Sequence, residues 1–201
     1  MMPRPARFSH EQILAATARV AAERGPAGAS IARIARTLRG PTGSIYHRFA
    51  SRGVLLGEVW LQAAASFQDG FSERLDGADP RTAGLAAVRY VPQRVRGHPQ
   101  EARILLLHRR EDFLERGWPA PMVERAKALH HQLSQVLRRF CQRLVGRTDA
   151  KTLRVMTFAL AEAPLAAVKR HVEAGEPPPR IVDALIEETY RASLALVGVT
   201  R

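Results

Sequence analysis

Cysteine is almost missing from this 201-residue chain: the one present, Cys141, has no partner for an intramolecular disulfide, which excludes a secreted, disulfide-stapled framework. Long apolar runs are missing too. No stretch approaches the roughly 18 consecutive apolar residues of a spanning helix, and the opening MMPRPARFSHEQ passes straight into a polar helix signal without the apolar centre of a signal peptide. A cytoplasmic protein with no membrane partner is expected. Lysine is scarce (Lys127, Lys151 and Lys169), so arginine supplies nearly all of the 31 basic residues. Acidic residues number only 19, which leaves a formal charge of +12. Such an excess favours a polyanion or an anionic membrane surface as partner. Arginine suits bidentate phosphate and base contacts, although a coding bias toward arginine accounts equally well for the excess as a whole. With 46% hydrophobic and 25% charged residues the chain has the make-up of a folded protein, which excludes wholesale disorder.

Sustained strand-type alternation is also absent, and apolar residues recur at three-to-four spacing almost throughout, which predicts an all-α fold of about nine helices. Ser9 with Gln12 forms a capping-box signature; the helix it opens carries Ile13, Leu14, Ala16, Val20 and Ala21 on one stripe, with Thr17 its one polar member, until Gly25-Pro26 stops it. A second helix starts at Ser30 with Ile31, Ile34, Ala35 and Leu38 on its apolar face. Pro41 suits the first position of a third, very short helix reaching about Phe49, and Ser51 caps a fourth that continues to about Leu75. A fifth, from about Arg81, is expected to be interrupted at Pro92, and a sixth to end near Glu115. Gly117-Trp118-Pro119-Ala120-Pro121 reads as a loop before a long amphipathic seventh helix, Met122 to Gly146. Asp149 caps an eighth, kinked at Pro164 and closed by Gly175. The ninth, about Arg180 to Val197, shows two adjacent, mainly apolar rows: Ile181/Leu185/Thr189/Leu196 and Val182/Ile186/Tyr190/Ser193/Val197. Its apolar face is too wide for one-sided packing.

Three short helices in the first fifty residues, the second and third joined by a tight Gly-containing connection, match helix-turn-helix spacing, in which the third helix presents its N-terminal side chains to a major groove about 12 Å wide. The charge map agrees. Residues 1–52 hold nine arginines against Glu11 and Glu23, a net +7, while the other 149 residues carry +5. The run Ile34-Ala35-Arg36-Thr37-Leu38-Arg39-Gly40-Pro41-Thr42-Gly43-Ser44-Ile45-Tyr46-His47-Arg48-Phe49, followed by Ser51-Arg52 and Leu55-Leu56, resembles the DNA-binding segment of tetracycline-repressor-like (TetR family) transcriptional regulators. The resemblance covers roughly residues 8 to 60; residues 61–201 share only helical architecture and length. One position departs from the pattern. The family usually has Gly four residues after the helix-2 Ala, whereas here Arg39 stands there and Gly40 follows, so either the turn is re-registered or Arg39 takes a mildly strained conformation.

The resemblance implies a DNA-binding domain at 1–52 and a ligand-binding and dimerisation domain at 53–201. Thr42, Ser44 and His47 are then candidates for base-edge or nearby phosphate contacts, Tyr46 for a phosphate contact through its hydroxyl, and Gly43 for close approach to the duplex, with Ile45 and Phe49 as core anchors. Arg52, Ser30 and Arg33 are candidate phosphate contacts, and Arg4 and Arg7 a candidate N-terminal arm. The partners implied are a double-stranded, palindromic operator, a second copy of the chain through the last two helices (about 150–174 and 180–197), and an unidentified small-molecule effector. No cofactor or metal is implied.

The two apolar rows of the ninth helix point to the dimer interface on their own. Candidate effector contacts, chosen by residue type on helices 4 to 8, are Phe67, Phe71, Tyr90, His108, Phe113, Trp118, Met122 and Met156, each of which is equally at home in plain core. Enzyme signatures are missing: there is no phosphate-cradling glycine loop and no Gly-x-Ser-x-Gly elbow, and neighbouring His130 and His131 lack the i,i+4 spacing of a metal pair. Cys141 among Arg138, Arg139 and Arg143 reads as a redox-active thiol or, more simply, as packing beside Phe140. The competing reading is a sequence-independent DNA-binding or architectural protein without an effector.

Overall fold

In the computed structural model, which describes residues 8–113 and 118–199, nine α-helices and no strand are present among the described residues. The first is α1 (His10–Gly28). Ser9 Oγ accepts from the Gln12 N–H at 3.2 Å while Gln12 Oε1 accepts from the Ser9 N–H at 2.8 Å, a reciprocal cap. The buried Thr17 hydroxyl donates to the Ile13 carbonyl at 2.7 Å, so the single polar member of the stripe costs no unmet bond. Gly25, at φ 71° and ψ 165°, breaks the helix, and one further turn follows.

Helix α2 (Ile31–Leu38) is capped by the Ser30 hydroxyl and closed by Arg39 at φ 54° and ψ 45°. The left-handed residue is thus the arginine. Gly40 takes no positive φ; its missing side chain makes room for the Phe8 ring, into which a Cβ would run. Helix α3 (Gly43–Tyr46) is shorter than its sequence suggests: Thr42 is its N-cap, so Pro41 lies ahead of the helix, and His47 already ends it. Two turn-type bonds to the Ile45 carbonyl, from the Arg48 and Phe49 N–H groups, bring Phe49 back into the core.

Helix α4 (Arg52–Leu75) is the spine, packing on α1, α5 (Pro80–Gly97), α6 (Pro99–Leu106) and α7 (Ala120–Val145). The expected interruption at Pro92 does not occur, and α5 runs through it. Proline forfeits one backbone bond, yet α5 is held along its length from outside: Arg89 meets Glu187 at 2.5 and 2.8 Å, and Arg96 meets Asp183 at 2.6 and 2.7 Å. The sixth helix stops at Leu106, well short of Glu115, and a 3₁₀ turn at Arg110–Phe113 inserts Phe113 into the core. Glu115 and Gly117 lie outside the described residues. Gly146 and Gly175 close α7 and α8 in the left-handed conformation, as glycine after a helix predicts.

Helix α8 comprises Ala150–Thr157, a π-turn at Phe158–Glu162, and Ala163–Ala174. The π-turn replaces the expected kink. Pro164 has no N–H for the Leu160 carbonyl, and the chain absorbs the defect by one wide step in which the Ala163 N–H reaches the Phe158 carbonyl. Helix α9 (Arg180–Leu196) lies on α5. Two main cores result. One joins α1–α3 to the first turns of α4 and to Ile104 and Phe113; the other gathers α4, α5, α7, α8 and α9 around Tyr190, Phe140 and Met156.

Candidate functional site

The short α3 presents two faces. Ile45 and Phe49 are buried, Phe49 beneath the stacked ring of His10 at 4.6 Å, while Thr42, Gly43, Tyr46 and His47 are exposed and Ser44 is half-buried. Nothing lies within 4 Å of where a Gly43 Cβ would stand, so close approach from outside is unobstructed. Around this face Arg36, Arg39 and Arg48 are exposed. The short helix thus keeps an open polar face on an apolar footing, in a segment whose exposed charges are arginines.

Three residues expected to touch phosphate are placed differently. The Ser30 hydroxyl is occupied as the α2 cap, accepting from the Arg33 N–H at 3.3 Å. Arg33 donates from Nη1 to the Gly28 carbonyl. Arg52, half-buried, turns inward: its Nε donates to the Ala29 carbonyl at 2.9 Å and its Nη2 to the carbonyls of Pro26 and Ala27, and burial pulls its pKa down. These carbonyls belong to the last turn of α1 and the residue after it, where the helix supplies no i+4 donors. Arg4 and Arg7 lie outside the described residues.

Further along α4 the helix bundle forms a partly open apolar cavity of about 220 Å³. Trp60, Phe67 and Phe71 of α4 line it, with aliphatic side chains from α5 to α8 and three polar residues, Gln68, Arg94 and Glu101. Arg94 is neutralised where it stands: its Nε and Nη2 meet the Glu101 carboxylate at 2.8 and 2.6 Å, and Nη2 also reaches the Ser66 hydroxyl. At the far side, the two rows of α9 part company. Val182, Ile186, Tyr190, Ser193 and Val197 are buried against the second core, whereas Ile181, Leu185 and Leu196 remain 63%, 60% and 62% exposed, and Phe158 at the π-turn is 44% exposed.

Residues 13–59 match the model of a family described as bacterial regulatory proteins, tetR family. This segment is similar to the DNA-binding segment of the TetR family. The match falls on the DNA-binding helices, and solved structures extend the likeness to the whole fold. A tetR-family regulatory protein from Rhodococcus RHA1 superposes with a TM-score of 0.72 at 18% identity, over 99% of this chain and 100% of that one. A TetR-like transcriptional regulator from Rhodococcus sp. RHA1 gives 0.69 at 18% identity, over 97% and 99%. FadR from Bacillus subtilis, a transcriptional regulator in complex with stearoyl-CoA, gives 0.69 at 14% identity, over 96% and 100%. No curated protein matches the chain. Among the described residues, no helix is long and apolar enough to cross a membrane.

Of the eight residues chosen as effector contacts by type, only Phe67 and Phe71 line the cavity. Tyr90 stands behind them: its ring lies 5.5 Å from Phe67, the Arg74 guanidinium covers it at 4.3 Å, and its hydroxyl presses on Gly70. Phe113 fills the first core, with His108 edge-on to it at 6.2 Å and beside Gly25; burial lowers the His108 pKa. Trp118 and Met122 pack on Gly57 and Trp60, and Met156 is fully buried in the second core. Trp60, Gln68, Arg94, Glu101 and the leucines 105, 106, 133, 160 and 165 escaped a selection by residue type. Aliphatic residues lining a cavity carry the same sequence signature as those filling a core; the one available signal was a charged pair, Arg94 and Glu101, within apolar helical faces. Cys141 is buried, and desolvation raises its pKa to about 11, so the neighbouring arginines do not activate it.

Proposed function

We propose that the protein is a ligand-responsive repressor that binds a palindromic operator as a homodimer and is released by a small-molecule effector. The observation that carries this reading is the course of α4: Leu55, Leu56 and Val59 anchor its start in the core beneath α3, and Trp60, Ala64, Phe67, Gln68 and Phe71 line the cavity further along. One rigid element therefore joins residues 1–52, read as the DNA-binding domain, to residues 53–201, read as the effector and dimerisation domain. Thr42, Ser44 and His47 are assigned to base edges or nearby phosphates and the Tyr46 hydroxyl to a phosphate. The exposed row Ile181, Leu185 and Leu196, with Phe158 beside it, supports a symmetric interface formed by α8 and α9.

A dimer of this kind must hold its two recognition helices about 34–36 Å apart to meet successive major grooves. An effector that binds more tightly to the conformation with mis-spaced helices weakens operator binding by the same factor through linkage. The stearoyl-CoA of the Bacillus subtilis relative is no guide to effector size here. By comparison with the roughly 150 Å³ apolar cavity that holds benzene, about 220 Å³ accommodates on the order of nine or ten non-hydrogen atoms. The basic surface alone fits equally a sequence-independent DNA-binding protein. Titrating a duplex from the protein's own upstream region against random duplex at fixed salt separates the two: a regulator gives a specificity ratio of about 10³ or more, and a ratio near one overturns the proposal.

A further inference from the structure

We propose that the Arg94–Glu101 pair is a charge filter, which reserves the cavity for uncharged molecules and turns away both carboxylates and amines. This rests on reading the cavity as the effector chamber. Arg94 and Glu101 are the charged groups among the described residues that line it, and they are spent on one another. Arg94 Nε and Nη2 donate to the two Glu101 oxygens at 2.8 and 2.6 Å, Nη2 also donates to the Ser66 hydroxyl at 2.5 Å, and Nη1 donates to His98 Nε2 at 3.0 Å. These bonds occupy four of the five N–H donors of a guanidinium. Both side chains are largely withdrawn from water, at 18% and 16% exposure. A carboxylate arriving here meets a cation already neutralised, and an amine meets a carboxylate with both oxygens taken.

The same pair also lines an adjoining, more open polar cleft of about 530 Å³, together with Gln62, Ser66, His98 and Gln100. It therefore marks the edge at which a polar surface gives way to the apolar wall of Trp60, Phe67, Phe71 and the cavity leucines. An ion crossing that edge must shed its hydration, and no unpaired opposite charge replaces the lost water. An uncharged molecule avoids this cost and gains by covering aromatic and aliphatic surface. Removing one partner reverses the preference. Glu101→Gln leaves the Arg94 cation unpaired beside the cavity, and Arg94→Gln leaves the Glu101 carboxylate unpaired. The filter thus predicts two gains of binding of opposite sign, which a merely structural ion pair would not give.

The chain holds two tryptophans, and Trp60 lines the cavity with Trp118 beside it at 5.7 Å, so intrinsic fluorescence reports occupancy directly. The full-length protein is titrated at pH 7 with three probes of similar size: methyl benzoate, which is neutral; 4-methylbenzoate, the anion of its isomer; and 3-phenylpropylammonium, a cation. The wild type is expected to bind the ester about tenfold or more tighter than either ion. Glu101→Gln is expected to gain about tenfold for 4-methylbenzoate, and Arg94→Gln about tenfold for 3-phenylpropylammonium, with the ester changing less than about threefold in both. A wild type that binds either ion as tightly as the ester overturns the filter and leaves the chamber in place. Variants that gain nothing for the matching ion take the selectivity away from this pair. If no probe perturbs the fluorescence or raises the melting temperature of any of the three proteins at millimolar concentration, the chamber reading itself falls, and the filter with it. Should one variant fail to fold, the other tests the same pair with the opposite charge, and the wild-type ranking decides if both fail.

Discussion

Adjacent residues of α9 offer a sharp test of the proposed dimer, because Leu185 is 60% exposed and Ile186 only 2%. Fully burying a leucine side chain stabilises by about 1.5–3 kcal/mol, so the part of Leu185 still open is worth about 1–2 kcal/mol per protomer when a partner covers it. A two-fold axis repeats the contact. Leu185→Glu therefore removes about 2–4 kcal/mol from association and adds two desolvated carboxylates to an apolar seam, raising the dimer Kd by about 10²–10³-fold or more. The fold of the single chain is expected to change by less than about 0.5 kcal/mol, since the side chain touches little within its own subunit. Ile186→Ala should do the reverse, costing about 2–4 kcal/mol of folding stability while the folded fraction keeps its dimer affinity. Sedimentation velocity across a concentration series reads the first quantity and urea unfolding of the dilute protein the second. A Leu185→Glu protein that sediments as the wild type does, or a wild type that is monomeric throughout, refutes the placement of the interface.

Three further outcomes are expected. Tyr46→Phe is expected to weaken operator binding about ten- to a hundredfold, the loss of a hydrogen bond of about 1.5–3 kcal/mol to a charged acceptor; unchanged affinity across a salt series removes Tyr46 from the phosphate contacts. Arg39→Gly relieves the left-handed strain at φ 54° and is expected to stabilise the fold by about 0.5–1 kcal/mol net of the added freedom of the unfolded chain, so an unchanged or lower urea midpoint contradicts the assignment of strain there. Cys141, its pKa raised to about 11 by burial, is expected to be about 0.1% thiolate at pH 8 by that displacement and to react with a thiol reagent only upon unfolding, its rate at fixed pH rising with denaturant. Rapid modification of the native protein would restore the redox reading.

What the sequence reveals and what it hides divide along physical lines. The Ser9 capping box, the Asp149 cap and the Gly146 and Gly175 stops are local, satisfied by atoms within a turn, and all are legible as written. So is the doubling of apolar rows on α9, because helical spacing alone separates Ile181 and Leu185 from Val182 and Ile186. Pro92 and Pro164 mislead because tertiary contacts decide their effect: α5 is clamped by Arg89 and Arg96 to α9, and α8 redistributes the missing bond into a π-turn. The cavity is illegible for a different reason. Its leucines belong to three helices and acquire a common role only when those helices pack.

The arginines near the start of the chain look different once their partners are known. Pro26 cannot donate to the Ala22 carbonyl, and Arg103 of α6 supplies the missing donor from its Nε at 2.7 Å while its Nη1 reaches the Val172 carbonyl at the end of α8. Arg33 and Arg52 meet the carbonyls of residues 26 to 29 in the same broken segment. Part of the basic excess thus repairs backbone rather than awaiting DNA, and among the described residues of this region Arg19, Arg24, Arg36, Arg39 and Arg48 are the exposed cations. The salt dependence of operator binding should accordingly be shallower than the count of nine arginines suggests. The same repair has a mechanical consequence. Because α4 and α6 both line the cavity and both hold the end of α1 through arginine-to-carbonyl bonds, a ligand that shifts either helix also shifts the footing on which α2 and α3 rest. In the proposed mechanism the Gly25-Pro26 break is therefore a joint between effector and DNA, as well as the end of a helix.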